Sequence, residues 1–134
     1  MSEPLTGIVL AHAEVANAFV AAVQSIAGDE HGLVAVSNIG CDRAALTARL
    51  DTAIAGRQAV VFADMPGGSC AFSAGAYARG HANIAVVTGV NLAMLLDFAF
   101  HRDQGPAAAA ARAAQTGKGS IAVIGAEGAP RAAS

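Results

Sequence analysis

Leu5-Thr6-Gly7-Ile8-Val9-Leu10-Ala11 is an apolar run that ends on His12, and a helix-like stretch opens directly after it at Ala13. A short, nearly unbroken apolar run of this kind reads as a strand buried on both faces. The pattern returns at Ala59-Val60-Val61-Phe62-Ala63, which runs from about Gln58 and leads into the turn Asp64-Met65-Pro66-Gly67-Gly68-Ser69. Leu33 to Val36, Ile84 to Val87 and Ser120-Ile121-Ala122-Val123-Ile124 give three more candidate strands. Strands that alternate with helices predict an α/β fold with a parallel sheet covered on both faces.

The intervening stretches carry helical spacing. Val15, Phe19, Val23 and Ile26 mark a helix from Ala13 to Ala27 that ends near Gly28. Asp42 stands as a cap before a second helix whose buried face is Ala45, Leu46, Leu50 and Ile54, with Gly56 ending it. A third helix runs from about Cys70 to Arg79 with Ser69 at the N-cap position. Asn91 precedes a fourth, carrying Leu92, Met94, Leu95, Phe98 and Ala99, which stops near His101-Arg102-Asp103. Pro106 and the alanines to Ala114 predict a fifth, broken at Gly117 to Gly119.

Composition narrows the function. A chain of 134 residues is the size of one domain, here expected to span 1–134 with a structured part from about 5 to 125 and a loose tail over 126–134. Hydrophobic residues make up 54% and charged ones 13%, yet no apolar stretch approaches the roughly 20 residues of a membrane span. Met1-Ser2-Glu3-Pro4 does not open a secretory signal, so a cytoplasmic location is expected. A net charge of −2, with Lys118 the single lysine and no tryptophan, argues against nucleic acid. Cys41 and Cys70 lack metal or redox spacing and read as small packed residues. No metal or cofactor is expected.

In open doubly wound sheets, ligands sit beyond the carboxyl ends of the strands where strand order reverses, between strands one and three in the flavodoxin-like arrangement. Those ends carry His12 and Asp64. A free imidazole, with an ordinary pKa of about 6.5, is a nucleophile at cellular pH, and a carboxylate on one ring nitrogen fixes the tautomer that frees the other. Helix-start amides beside Gly67 and Gly68, with the Ser69 hydroxyl, suit an anion such as phosphate. His31, His81 and His101 show no partner pattern and are expected to face solvent, and Asn91 is expected to cap its helix.

Three segments together resemble the enzyme IIA domain of the mannose family of the bacterial phosphoenolpyruvate-dependent sugar phosphotransferase system. They are Ile8-Val9-Leu10-Ala11-His12, the turn Asp64 to Ser69, and Gly89-Val90-Asn91-Leu92-Ala93-Met94-Leu95, and the similarity spans residues 6 to 125. The resemblance implies that His12 takes a phosphoryl group from the phosphocarrier HPr and passes it to a separate enzyme IIB, with Asp64 holding the ring. It also implies a doubly wound sheet of order 2-1-3-4 with an antiparallel fifth edge strand, Ser120 to Ile124, exchanged within a homodimer. Ala11, Ala13, Cys70 and Ala93 depart from the family pattern, standing where a hydroxyl residue, a glycine, a proline and a proline are usual. Two other readings stay open: a regulatory phosphorelay domain, and the phosphoryl-transfer subunit of a dihydroxyacetone kinase.

Overall fold

The computed structural model describes residues 3–127. Its elements run β1 (Thr6–Ala11), α1 (Val15–Ala27), β2 (Leu33–Ser37), α2 (Arg43–Ile54), β3 (Ala59–Ala63), α3 (Ser69–Arg79), β4 (Ile84–Thr88), α4 (Leu92–Ala99) and α5 (Pro106–Gly119). The strands form one parallel sheet in the order β2-β1-β3-β4, as expected.

Both central strands, β1 and β3, are buried along their whole length, because helices cover both faces. Alternate residues of each strand feed opposite cores. Val9, Ala11, Val60 and Phe62 pack with residues of α1, α4 and α5, whereas Ile8, Leu10, Ala59 and Val61 pack with α2 and α3. Phe62 meets Phe98 edge to face at 5.2 Å between centroids. Gly7 leaves room for that helix: a Cβ there would stand 2.6 Å from both Leu33 Cδ2 and Phe98 Cε2.

Several sequence expectations are corrected. Helix α1 starts at Val15 rather than Ala13, because Ala13 sits at φ 51°, in the left-handed region. Its inward face is Ala16, Val20, Val23 and Ala27 with Phe19, while Val15 and Ile26 are exposed. Phe19 and Val23 face inward as expected, but the helix is apolar around most of its circumference, and packing turned Ala16, Val20 and Ala27 inward in place of Val15 and Ile26. Ala45 is exposed on α2, although Leu46, Leu50 and Ile54 are buried and Asp42 caps as expected, accepting from the Ala45 amide at 2.8 Å. Ser69 is the first residue of α3 and Gly68 its N-cap.

The glycines at 117 and 119 do not break α5, which continues to Gly119. A Cβ on Gly117 would lie 2.7 Å from Met94 Cε and 3.1 Å from Asn91 Oδ1, so the glycine serves the close approach of α5 to α4. Among the described residues the expected fifth strand has no ladder, and Ile121, Val123 and Ile124 are exposed. A strand exists only through pairing with a neighbour, and the described residues offer this segment none. Most of the tail expected to be loose, from residue 128 on, lies outside the described residues.

At the end of the sheet opposite His12, Arg102 ties three segments together. Its Nε donates to Leu5 O at 2.8 Å and its Nη1 to Glu30 O at 3.1 Å, while Leu5 N donates to Arg102 O at 2.9 Å. The guanidinium lies against Gly32, whose φ of 74° and missing side chain make the space.

Candidate active site

Parallel register brings the two strand ends together. Leu10 pairs with Ala63, so the chain leaves β1 and β3 at the same level, with His12 two residues past one partner and Asp64 one past the other. Asp64 N donates to Leu10 O at 3.2 Å and extends the ladder by a step. The Asp64 carboxylate then faces His12: Oδ2 accepts the His12 backbone amide at 2.9 Å and lies 2.6 Å from the ring Nδ1.

That geometry fixes the tautomer. Burial acts to raise the Asp64 pKa, but the hydrogen bonds from His12 and its charge outweigh it, and the carboxyl titrates below its ordinary range. An ionised carboxylate only accepts, so Nδ1 carries the proton and, in the neutral ring, Nε2 carries the lone pair. The Cε1–Nε2 edge passes over Gly68. A Cβ built there would stand 3.0 Å from Cε1 and 3.6 Å from Nε2.

Gly68 is the N-cap of α3, and no side chain caps that helix. Its first-turn amides, which have no intrahelical partner, are therefore left without a side-chain acceptor, and the positive end of the helix dipole begins beside the histidine ring. Gly67 and Ser69 flank it as exposed residues, so the expected anion-binding turn lies beside the imidazole. His12 itself is 41% exposed at its side chain, against 15% for Asp64.

Beneath the ring lies Cys70, completely buried, with Sγ 3.8 Å from His12 Nδ1. Burial first, and the Asp64 carboxylate second, push its thiol up to about 11, so it is protonated at neutral pH. Reading Cys70 as a packed residue is correct, but its place under the histidine follows only from the α3 turn. Two further residues escaped sequence reasoning. Ser37 Oγ donates to Ala13 O at 2.7 Å and Asn38 Oδ1 accepts from Ala13 N at 3.1 Å, so the end of β2 pins the residue after the histidine. A polar pair at the end of a strand, Ser37 within β2 and Asn38 just past it, was the available signal.

The other histidines stand apart from His12. His81 is exposed, as expected, and stacks on Tyr77 at 4.0 Å. His31 and His101 are half-buried instead, since their Nδ1 atoms engage Leu33 N at 2.9 Å and Asp97 O at 2.8 Å. Asn91 caps α4 through Met94 N at 3.0 Å and also donates to Gly117 O at 3.0 Å.

A family model described as "PTS system fructose IIA component" matches residues 7–115 of this sequence. The chain belongs to that family. Its fold is also that of the mannose/sorbose-specific IIA subunit of the phosphotransferase system from Enterococcus faecalis. The two are 22% identical with a TM-score of 0.82, over 96% of this chain and 100% of that one. Phosphotransferase component EIIA from Streptococcus agalactiae gives 18% identity and the same TM-score, over 89% and 96% of the two chains. A sigma-54 interaction domain protein from Enterococcus faecalis is more distant, at 13% identity and a TM-score of 0.65, covering 78% of this chain and 82% of its own. No curated protein matches the sequence. Membership in the IIA family carries phosphotransfer within the sugar phosphotransferase system as the coarse activity. Among the described residues no helix is long and apolar enough to cross a membrane.

Proposed function

We propose that this chain is a phosphocarrier in which His12 accepts a phosphoryl group on Nε2 from HPr and delivers it to a separate enzyme IIB. The observation that carries the reading is the Asp64 contact to Nδ1, which leaves the Nε2 lone pair beside the uncapped start of α3. In the transfer, the Nε2 lone pair forms the bond to phosphorus as the donor's nitrogen–phosphorus bond breaks, and Nδ1 keeps its proton on Asp64. Amides around Gly67, Gly68 and Ser69 receive the phosphoryl oxygens. Ile39, Met65 and Phe72, on the segments that follow β2 and β3, are exposed and offer apolar contact to a protein donor or acceptor.

Incubation with phosphoenolpyruvate, enzyme I and HPr is expected to add one acid-labile phosphate, absent from His12→Ala; equal labelling of that variant overturns the assignment. The family resemblance further supports a cytoplasmic homodimer in which residues 120–124 cross to the partner's sheet edge. The exposure of Ile121, Val123 and Ile124 fits such a role, and sedimentation of full-length protein against a chain ending at 119 tests it.

A regulatory phosphorelay is the second reading, since the same exposed His12 held by Asp64 would serve a phosphorylation signal as well as onward transfer. It predicts a partner that distinguishes wild type from His12→Asp, and it is refuted if phosphate moves only onward to enzyme IIB.

A further inference from the structure

Among the described residues one group of His, Cys and acidic side chains places its ligand atoms within 4.8 Å of one another: His12, Asp64 and Cys70. They come from three elements, the end of β1, the turn after β3 and the first turn of α3. One imidazole nitrogen, one carboxylate oxygen and one sulfur suit a zinc-type cation, whereas calcium and magnesium take oxygen ligands. Two details support a bound ion. Asp64 Oδ1 is buried without a hydrogen-bond partner, so the carboxylate has an unused acceptor. Cys70 Sγ lies 3.8 Å from Nδ1, close to the roughly 3.5 Å that separates sulfur and nitrogen ligands on a tetrahedral zinc, while the 2.6 Å from Nδ1 to Asp64 Oδ2 must open by somewhat under about 1 Å for both to ligate. Cys70 is completely buried and Asp64 nearly so, whereas the His12 side chain is 41% exposed, so an ion reaches the three ligand atoms by displacing the imidazole.

We propose that His12 Nδ1, the Asp64 carboxylate and Cys70 Sγ bind a thiophilic divalent cation such as zinc, and that the cation and phosphorylation of His12 exclude one another. The exclusion rests on the phosphocarrier reading; the binding does not. Without metal, Nδ1 bears the proton and Nε2 the lone pair. When the cation takes the Nδ1 lone pair, the single proton of the neutral ring resides on Nε2, which then has nothing to offer phosphorus. The thiol proton leaves to solvent and the thiolate becomes the ligand. Asp64 exchanges its ring contact for a bond to the metal, and no oxidation state changes.

The test titrates the metal-free full chain with cobalt(II), then with zinc in competition with a chelating indicator. One equivalent is expected to bind with a thiolate-to-cobalt absorption band. Cys70→Ala removes the band and weakens zinc by about ten-fold or more, since even outer-shell changes cost that much, whereas Cys41→Ser changes neither. His12→Ala, altered at an exposed side chain, weakens zinc as well and answers the question if Cys70→Ala folds poorly. Wild type binding no tighter than these variants, or a band that survives Cys70→Ala, overturns the site. Zinc is further expected to suppress labelling of wild type far more than of Cys70→Ala, and equal suppression overturns the exclusion. Absence of labelling in metal-free protein refutes the phosphocarrier reading while the titration still decides the metal site.

Discussion

Asp64 Oδ2 holds His12 twice, at the backbone amide (2.9 Å) and at ring Nδ1 (2.6 Å). One carboxylate oxygen thus sets where the residue leaves the strand and which ring nitrogen is free. Replacing Asp64 by Asn keeps the shape but removes the charge that demands a proton on Nδ1. Phosphoryl transfer to His12 is expected to slow by about 10²-fold or more, measured as single-turnover labelling from phosphorylated HPr. A rate within two-fold of wild type contradicts the orienting role.

The same contact makes stability depend on pH. Asp64 titrates below its ordinary value of 3.8 despite burial, because the bonds from His12 prevail. A depressed carboxyl pKa adds stability that is present above the unfolded value and is lost as pH falls through the folded one. The difference in Tm between wild type and Asp64→Asn is therefore expected to shrink below about pH 4. A difference that widens on acidification in that range reverses the sign and rejects the cause.

Gly68 is a matter of space, since its φ of −100° is open to any residue. A Cβ there meets His12 Cε1 at 3.0 Å, and the ring must give by a few tenths of an ångström. Gly68→Ala is expected to leave Tm nearly unchanged and to slow labelling by roughly ten-fold, in keeping with the cost of misplacing a reacting group. A stability loss with normal labelling would assign the glycine to folding instead.

Ala13 pays for its position with backbone strain, at φ 51°. The left-handed region costs a residue with a Cβ about 1–2 kcal/mol, and glycine brings back roughly 0.5–1 kcal/mol as unfolded-state entropy. Ala13→Gly is expected to stabilise the fold by about 0.5–1 kcal/mol in urea denaturation. The bonds from Ser37 and Asn38 to the Ala13 backbone survive the change. A destabilised variant indicates that the alanine methyl makes a contact worth more than the strain.

Much of this molecule is legible in its residues. The buried strands β1 and β3 announce themselves as apolar runs, and both Asp42 and Asn91 cap the helices they precede. His12 and Asp64 were paired by the rule that parallel sheets bind ligands at strand ends, and the register brings them into contact. What was misread shares one physical origin. Gly117 looks like a helix breaker because propensity is local, but its missing side chain is answered by Met94 and Asn91, which are distant in sequence. The inward face of α1 was likewise chosen by the sheet among several apolar stripes.

Period, capping and turn chemistry act over a few residues, so the sequence by itself determined the order of the four strands and five helices, the two strand-end side chains and the glycine turn that follows the second of them. Tertiary structure alone decided that Cys70 lies under the imidazole, that Gly68 carries its free edge, that Ala13 is strained and held by the end of β2, and that Arg102 closes the far end of the sheet. Those relationships join residues on different elements, and their distances are set by packing across the sheet, which no local pattern encodes.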